Sequence, residues 1–148
     1  MVAVETAPLK VIDLHMQHSA SIAQGDALNH AVWRKSNDRL ELMQYLLDRG
    51  GRAAINKIRI DFYMVERYAG CSTPVHDAAL VGDVELAKLL VANSADVHIK
   101  NSHGGTPLEQ VREPLEHMPD PLERVRGRGH RDVAEYLERL ENRRASQL

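Results

Sequence analysis

One recurrence constrains the fold of this chain more than any other feature. Ser72-Thr73-Pro74-Val75 returns as Gly105-Thr106-Pro107-Leu108, 33 positions later when counted from Thr73 to Thr106. Self-similarity at such a period marks supersecondary units that stack on one another. The first copy runs on through His76-Asp77-Ala78-Ala79-Leu80-Val81-Gly82-Asp83-Val84-Glu85-Leu86-Ala87-Lys88-Leu89-Leu90. Thr73 can cap a helix start, and Pro74 suits the first helical position, where its missing N–H would have no partner. Val75, Ala78 and Ala79 give that helix a thin apolar face, which allows close approach of a neighbour. Gly82 can take the left-handed conformation that stops it. Asp83 then caps a second helix with a thicker stripe of Leu86, Leu89 and Leu90. Ala95-Asp96-Val97-His98 would cross to the next unit as a β-like turn.

These residues resemble the ankyrin repeat family, whose unit opens Gly-x-Thr-Pro-Leu-His-x-Ala-Ala, continues through Gly and a Leu-rich helix, and ends Gly-Ala-Asp-Val-Asn. Residues 70–102 follow that pattern with Val75 for Leu, Ser94 for Gly and His98 for Asn. Ser94 falls where a left-handed residue is expected, a conformation that strains any side chain. The resemblance implies an all-α repeat solenoid, a short ankyrin-like stack of helix-turn-helix units with β-like connecting turns. The expected domain spans 11–141: a half-repeat 11–25, a repeat 26–69 with insertions, a repeat 70–102, and a repeat 103–141 with a Pro-rich insertion. A polar tail, 142–148, follows. The scarcity of aromatic residues (4%) suits such a stack, since its core must come from Leu, Val, Ile and Ala.

The flanking units are less regular. Ala27 to Val32 reads as a first helix and Leu42 to Leu47 as its second, ending at Gly50, with a long turn at Lys35–Asp38. The stretch 52–69 exceeds the family length and holds the only Phe, Phe62, beside Arg59, Tyr63 and Tyr68. Ile58, Ile60 and Phe62 alternate, which favours an extended finger. In the last unit Thr106 and Pro107 open the first helix. Gly129 then stands as a late inter-helix glycine, after an insertion at 112–128 broken by Pro114, Pro119 and Pro121.

The family's partners lie against its first helices and projecting turns. Carried over by position, this points to His30, Trp33, Arg34, Asp77, Leu80, Val81 and His103, with Arg59, Phe62, Tyr63 and Tyr68 on the finger. Trp33 is the leading anchor, because Trp buries much area at small entropic cost and can donate a hydrogen bond. Two readings of it stand open: an exposed binding residue, or a core filler beside the long turn. The finger could equally fold back as cover, and the Pro-rich insertion could bind or be a tolerated excursion. Thr73, Pro74, His76, Gly82, Thr106, Pro107 and Gly129 carry structural roles. By resemblance, the His76 ring bonds within and between turns.

The expected function is a protein-protein interaction module, a small adaptor or scaffold, with no catalytic residue and no cofactor. A pocket where the 52–69 finger meets His30, Trp33, Arg34 and Asp77 is the alternative, for a small molecule or for acid–base chemistry. His98 and His103 could hold an anion or metal only weakly. Net charge of −2, from 19 basic and 21 acidic residues, gives no nucleic-acid footprint. One cysteine, Cys71, precludes an internal disulfide. No apolar run has membrane-spanning length, so an intracellular location, cytoplasmic or nuclear, is expected.

Overall fold

The computed structural model describes residues 2–18, 27–58, 71–112 and 127–147. Their helices are α1 (Val2–Thr6), α2 (Leu9–His18), α3 (Ala27–Val32), α4 (Arg39–Asp48), α5 (Pro74–Val81), α6 (Val84–Ala92), α7 (Pro107–Arg112) and α8 (Arg128–Ala145), with a 3-10 helix at Gly51–Ala54. α3 pairs with α4, α5 with α6, and α7 with α8. α5 also packs against α3 and α7 on either side, as α6 does against α4 and α8.

Local chemistry sets the boundaries of the central pair. Thr73 is extended at φ −85°, ψ 163°, and Pro74 occupies the first position of α5. Gly82 ends that helix in the left-handed region at φ 72°. Its N–H and that of Asp83 reach back to the Ala79 and Ala78 carbonyls at 3.3 and 3.1 Å. The Asp83 carboxylate accepts from the Leu86 N–H at 3.0 Å and caps α6, an interaction worth about 1 kcal/mol. α7 opens with a reciprocal box: Thr106 N–H donates to Glu109 at 2.7 Å, and Glu109 N–H to the Thr106 hydroxyl at 3.3 Å. Backbone donation holds the Glu109 carboxyl below its usual range.

The core is aliphatic and continuous. Leu28, Ala31 and Val32 of α3 meet Leu42, Met43, Leu46 and Leu47 of α4, all buried. Val75, Ala78 and Ala79 of α5 and Leu86, Ala87 and Leu90 of α6 extend it to Leu108 and Val111 of α7 and Val133 and Leu137 of α8. Small residues on α5 let its neighbours come close, and each leucine buried this way contributes about 1.5–3 kcal/mol. Val4, ahead of residue 11, is buried in the same core.

The expected ankyrin-like stack with β-like connecting turns is overturned: the described residues form an all-α helical bundle, and no β-strand occurs among them. The reason lies in where the connecting backbone finds its partners. After α4, Gly50 at φ 107° sends the chain directly into the 3-10 helix rather than into an extended turn. Asn56 donates to the Ser94 carbonyl at 3.1 Å and accepts from the Asp96 N–H at 2.7 Å. Asn101 accepts from the N–H groups of His103 and Gly105, both at 3.0 Å. Amide side chains thus take backbone groups that a strand ladder would otherwise use. α8 is also one helix of 18 residues that extends into the expected polar tail.

Candidate interaction surface

Several residues expected to face a partner are engaged inside the fold. Arg34 is 3% exposed. Its fork grips Asp38 through Nε at 2.6 Å and Nη2 at 2.8 Å. Its Nη1 donates to the Val4 and Ala7 carbonyls at 3.0 and 2.9 Å, tying the end of α1 to the α3–α4 turn. The Arg34 guanidinium holds the Asp38 carboxyl at about 2, with help from Ser36. His30, half-buried, meets Glu5 of α1 through Nδ1 at 2.6 Å.

Asp77 is fully buried between α3 and α5. The Ser72 hydroxyl donates to one of its oxygens at 2.6 Å, and the Asn29 amide to the other at 2.8 Å. The same Asn29 amide donates to the Ser72 carbonyl at 3.2 Å. Leu80 is buried, and Val81 is half-buried against the core. A carboxylate and an Arg at these positions were legible as polar residues on first helices. Their burial was not: beside the local contacts with Asp38 and Ser72, Arg34 reaches Val4 from 30 positions away and Asp77 meets Asn29 from 48.

Two histidines act as matched stitches. At the third position of α5, His76 Nδ1 accepts from the Thr73 hydroxyl at 2.8 Å, and its Nε2–H donates to the Gly105 carbonyl at 3.1 Å. Because a carbonyl only accepts, this geometry requires the Nε2–H tautomer. Burial pushes the His76 imidazole down to about 4, opposed in part by the Gly105 carbonyl. At the third position of α8, His130 repeats the arrangement. Its Nδ1 accepts from Gly127 N–H at 3.2 Å, and its Nε2–H donates to the Leu80 carbonyl at 2.9 Å. Gly129 lies within the first turn of α8, not between helices as its spacing suggested. What requires glycine there is proximity: a β-carbon would strike the Gly82 carbonyl.

Trp33 remains distinct. It follows α3, half-buried against the core, and its indole N–H is buried with no hydrogen-bond acceptor among the described residues. The residues that follow it, Lys35, Ser36 and Asn37, are exposed, and Leu40 in the first turn of α4 is 41% exposed. His103 is exposed in the turn before α7. A second apolar exposure lies on α2, where Val11 and Leu14, three apart on one helix face, are 47% and 57% exposed. Arg59, Phe62, Tyr63 and Tyr68 lie outside the described residues, as do the second half of the 11–25 half-repeat from Ser19 onward and all but the ends of the 112–128 insertion. Thus the described part of the 52–69 stretch ends at Ile58, itself 41% exposed.

Among the described residues, no group of three His, Cys, Asp or Glu side chains is placed to hold a metal ion. No helix among them is long and apolar enough to cross a membrane. No curated protein matches the chain. Residues 71–102 match the ankyrin repeat family model, a region that spans α5, α6 and the turn to Ser102. The match is one repeat long within a chain of 148 residues, a repeat region rather than a stack.

Proposed function

We propose that this chain is a protein-interaction module, a small adaptor that engages a protein partner through the α3–α4 turn around Trp33. The observation that carries this reading is the indole N–H of Trp33, buried without an acceptor among the described residues. Leaving such a donor unsatisfied costs about 1–3 kcal/mol, and native proteins keep few of them. A modest turn of the ring toward solvent would present both the donor and a broad apolar face to a partner's carbonyl or carboxylate. Exposed Lys35, Ser36 and Asn37 supply a polar margin, and Leu40 an apolar one, an arrangement that fits an anchor with a wet rim. The ankyrin-repeat match at 71–102 supports the same reading, although a repeat alone does not fix a function.

The test is quantitative affinity capture from the native source with the wild-type chain, Trp33→Ala, and Arg139→Ala as a distant surface control. A specific partner should be retained by wild type and by Arg139→Ala and depleted by about tenfold or more with Trp33→Ala, as expected for an anchor residue. Circular dichroism establishes that the variant is folded. Since Trp33 is the only tryptophan, its emission should also shift when the purified partner is added. Equal capture by Trp33→Ala would remove the α3–α4 turn as the docking site, and the lack of any specific partner would remove the module reading itself.

A further inference from the structure

α8 carries its packing residues only as far as Leu140. Val133 and Leu137 are buried, and Ala134, Tyr136 and Leu140 rest against the core. Beyond them, every residue from Asn142 to Gln147 is exposed. The final turn is therefore held by its own short-range bonds: Ser146 N–H to the Asn142 carbonyl at 3.1 Å, Gln147 N–H to the Arg144 carbonyl at 3.1 Å, and the Ser146 hydroxyl to the Asn142 carbonyl at 2.9 Å. An end of this kind opens at small free-energy cost, because no apolar contact is lost when it does.

The sequence of that turn is Asn142-Arg143-Arg144-Ala145-Ser146-Gln147. Two guanidinium groups lie three and two positions ahead of a solvent-exposed hydroxyl. One turn back on α8, Arg139 has a carboxylate partner in Glu135 of the same helix, and Glu138 takes Arg112 of α7. Arg143 and Arg144 make no ion pair among the described residues. Their forks are thus available to an acidic groove, and charge patterns of this kind are how kinases select substrates.

We infer that Ser146 is a phosphorylation site for a serine/threonine kinase that recognises paired arginines ahead of its acceptor. In the reaction the Ser146 oxygen attacks the γ-phosphorus of ATP, and the new P–O bond forms as the bond from the γ-phosphorus to the β–γ bridging oxygen breaks. ADP leaves with that electron pair, and the hydroxyl proton passes to the kinase's catalytic carboxylate. The exposed, weakly held last turn lets the segment unwind into the kinase groove without disturbing the α8 core face.

Modification also has a structural consequence. The phosphoserine loses its hydroxyl donor to the Asn142 carbonyl and places a dianion at the negative end of the α8 dipole. The last turn then opens, and the phosphate is drawn to Arg143 and Arg144 in a non-helical arrangement.

The experiment treats the full-length chain with the catalytic domain of an arginine-directed serine/threonine kinase and Mg·ATP. Incorporation is mapped by peptide mass spectrometry, and the amide resonances of 142–147 are followed by NMR. The expected result is one phosphoryl group at Ser146, none in Ser146→Ala, and an initial rate lowered by about tenfold or more in Arg143→Ala/Arg144→Ala. The 142–147 amides should move toward unfolded shifts while those of 133–140 stay in place. Since both arginines are exposed, the double variant folds as wild type does, which circular dichroism checks. Incorporation at Ser36 or Ser102 with Ser146 unmodified, or an undiminished rate in the double variant, overturns the assignment. Ser146 modified with the last turn still helical overturns the structural consequence.

Discussion

The backbone of Gly129 in α8 lies against the carbonyl of Gly82, so close that no β-carbon fits between them. This contact lets His130, the next residue, reach the Leu80 carbonyl at 2.9 Å and fasten α8 to the end of α5. Gly129→Ala should therefore lower stability by about 1–3 kcal/mol through overpacking. Gly127→Ala, where nothing lies within 4 Å of the added carbon, should change it little. Urea midpoints of the two variants check the contrast, and equal midpoints would count against the contact.

Ser94 holds φ 74°, a left-handed conformation without glycine. Its neighbours do not depend on its side chain, since Asn56 grips its carbonyl. Ser94→Gly should relieve the steric cost and, after the added flexibility of the unfolded chain, raise stability by about 0.5–1 kcal/mol. A thermal midpoint unchanged or lowered would show that the strain is compensated elsewhere.

His76 predicts a pH dependence with a definite sign. Its folded pKa, about 4, lies below its ordinary value of 6.5, so the unfolded chain binds the proton more readily. The contribution of the neutral ring is complete above about pH 6.5, declines as pH falls, and is gone near pH 4, an effect on the order of 2–3 kcal/mol. Denaturation free energies measured from pH 7.5 to pH 4, for wild type and His76→Gln, should differ in slope across that window. Parallel curves would assign the acid sensitivity to other groups.

Arg34→Met should cost about 3 kcal/mol, because it leaves the Val4 and Ala7 carbonyls without their donor and takes the guanidinium from the Asp38 carboxylate. Arg34→Lys should recover only part of this, since an ammonium cannot reproduce the fork. In the wild type the depressed Asp38 pKa means that the pair contributes fully above about pH 4 and fades as pH falls toward 2. Hydrogen exchange of the α1 amides reads the effect directly: they should lose protection in Arg34→Met ahead of those in α5 and α6.

Trp33→Phe removes the unpaired donor and keeps most of the ring. It should stay within about 1 kcal/mol of wild type in stability, against the usual 3–5 for truncation of a packed Trp to Ala. Denaturation followed by far-ultraviolet circular dichroism decides it, and a large loss would mean that the N–H has an acceptor in solution.

How much of this was legible in the sequence depends on how far each residue's partner lies along the chain. Thr73-Pro74, Gly82 and Asp83 act within a few positions, so α5 and α6 could be read from local chemistry alone. The Thr106–Glu109 box was equally local and could have been found by its spacing. α1 could not: Val2–Thr6 has no strong helical period, and it is held by Arg34 and His30 from 30 and 25 positions away. The β-like turns failed for a related reason. Asn56 answers one of their backbone groups from 40 positions away, at Asp96, whereas Asn101 acts locally, on the N–H groups two and four positions on, in a spacing that marks no strand or helix. Of the expected partner-facing residues, Trp33 keeps a polar group unanswered among the described residues, whereas Arg34 and Asp77 answer to the interior.

The Asn29–Asp77–Ser72 cluster also bears on how the molecule assembles. Asn29 belongs to α3, Asp77 to α5 and Ser72 to the segment leading into α5, so neither of the two bonds that link Asn29 with that pair can form until α3 and α5 meet in one register. A slip by one turn would strip the buried carboxylate of its Asn29 donor, a heavier penalty than the loss of a single apolar contact. The cluster therefore works as a proofreading device: it adds little to the depth of the native well but raises the floor of its misaligned competitors.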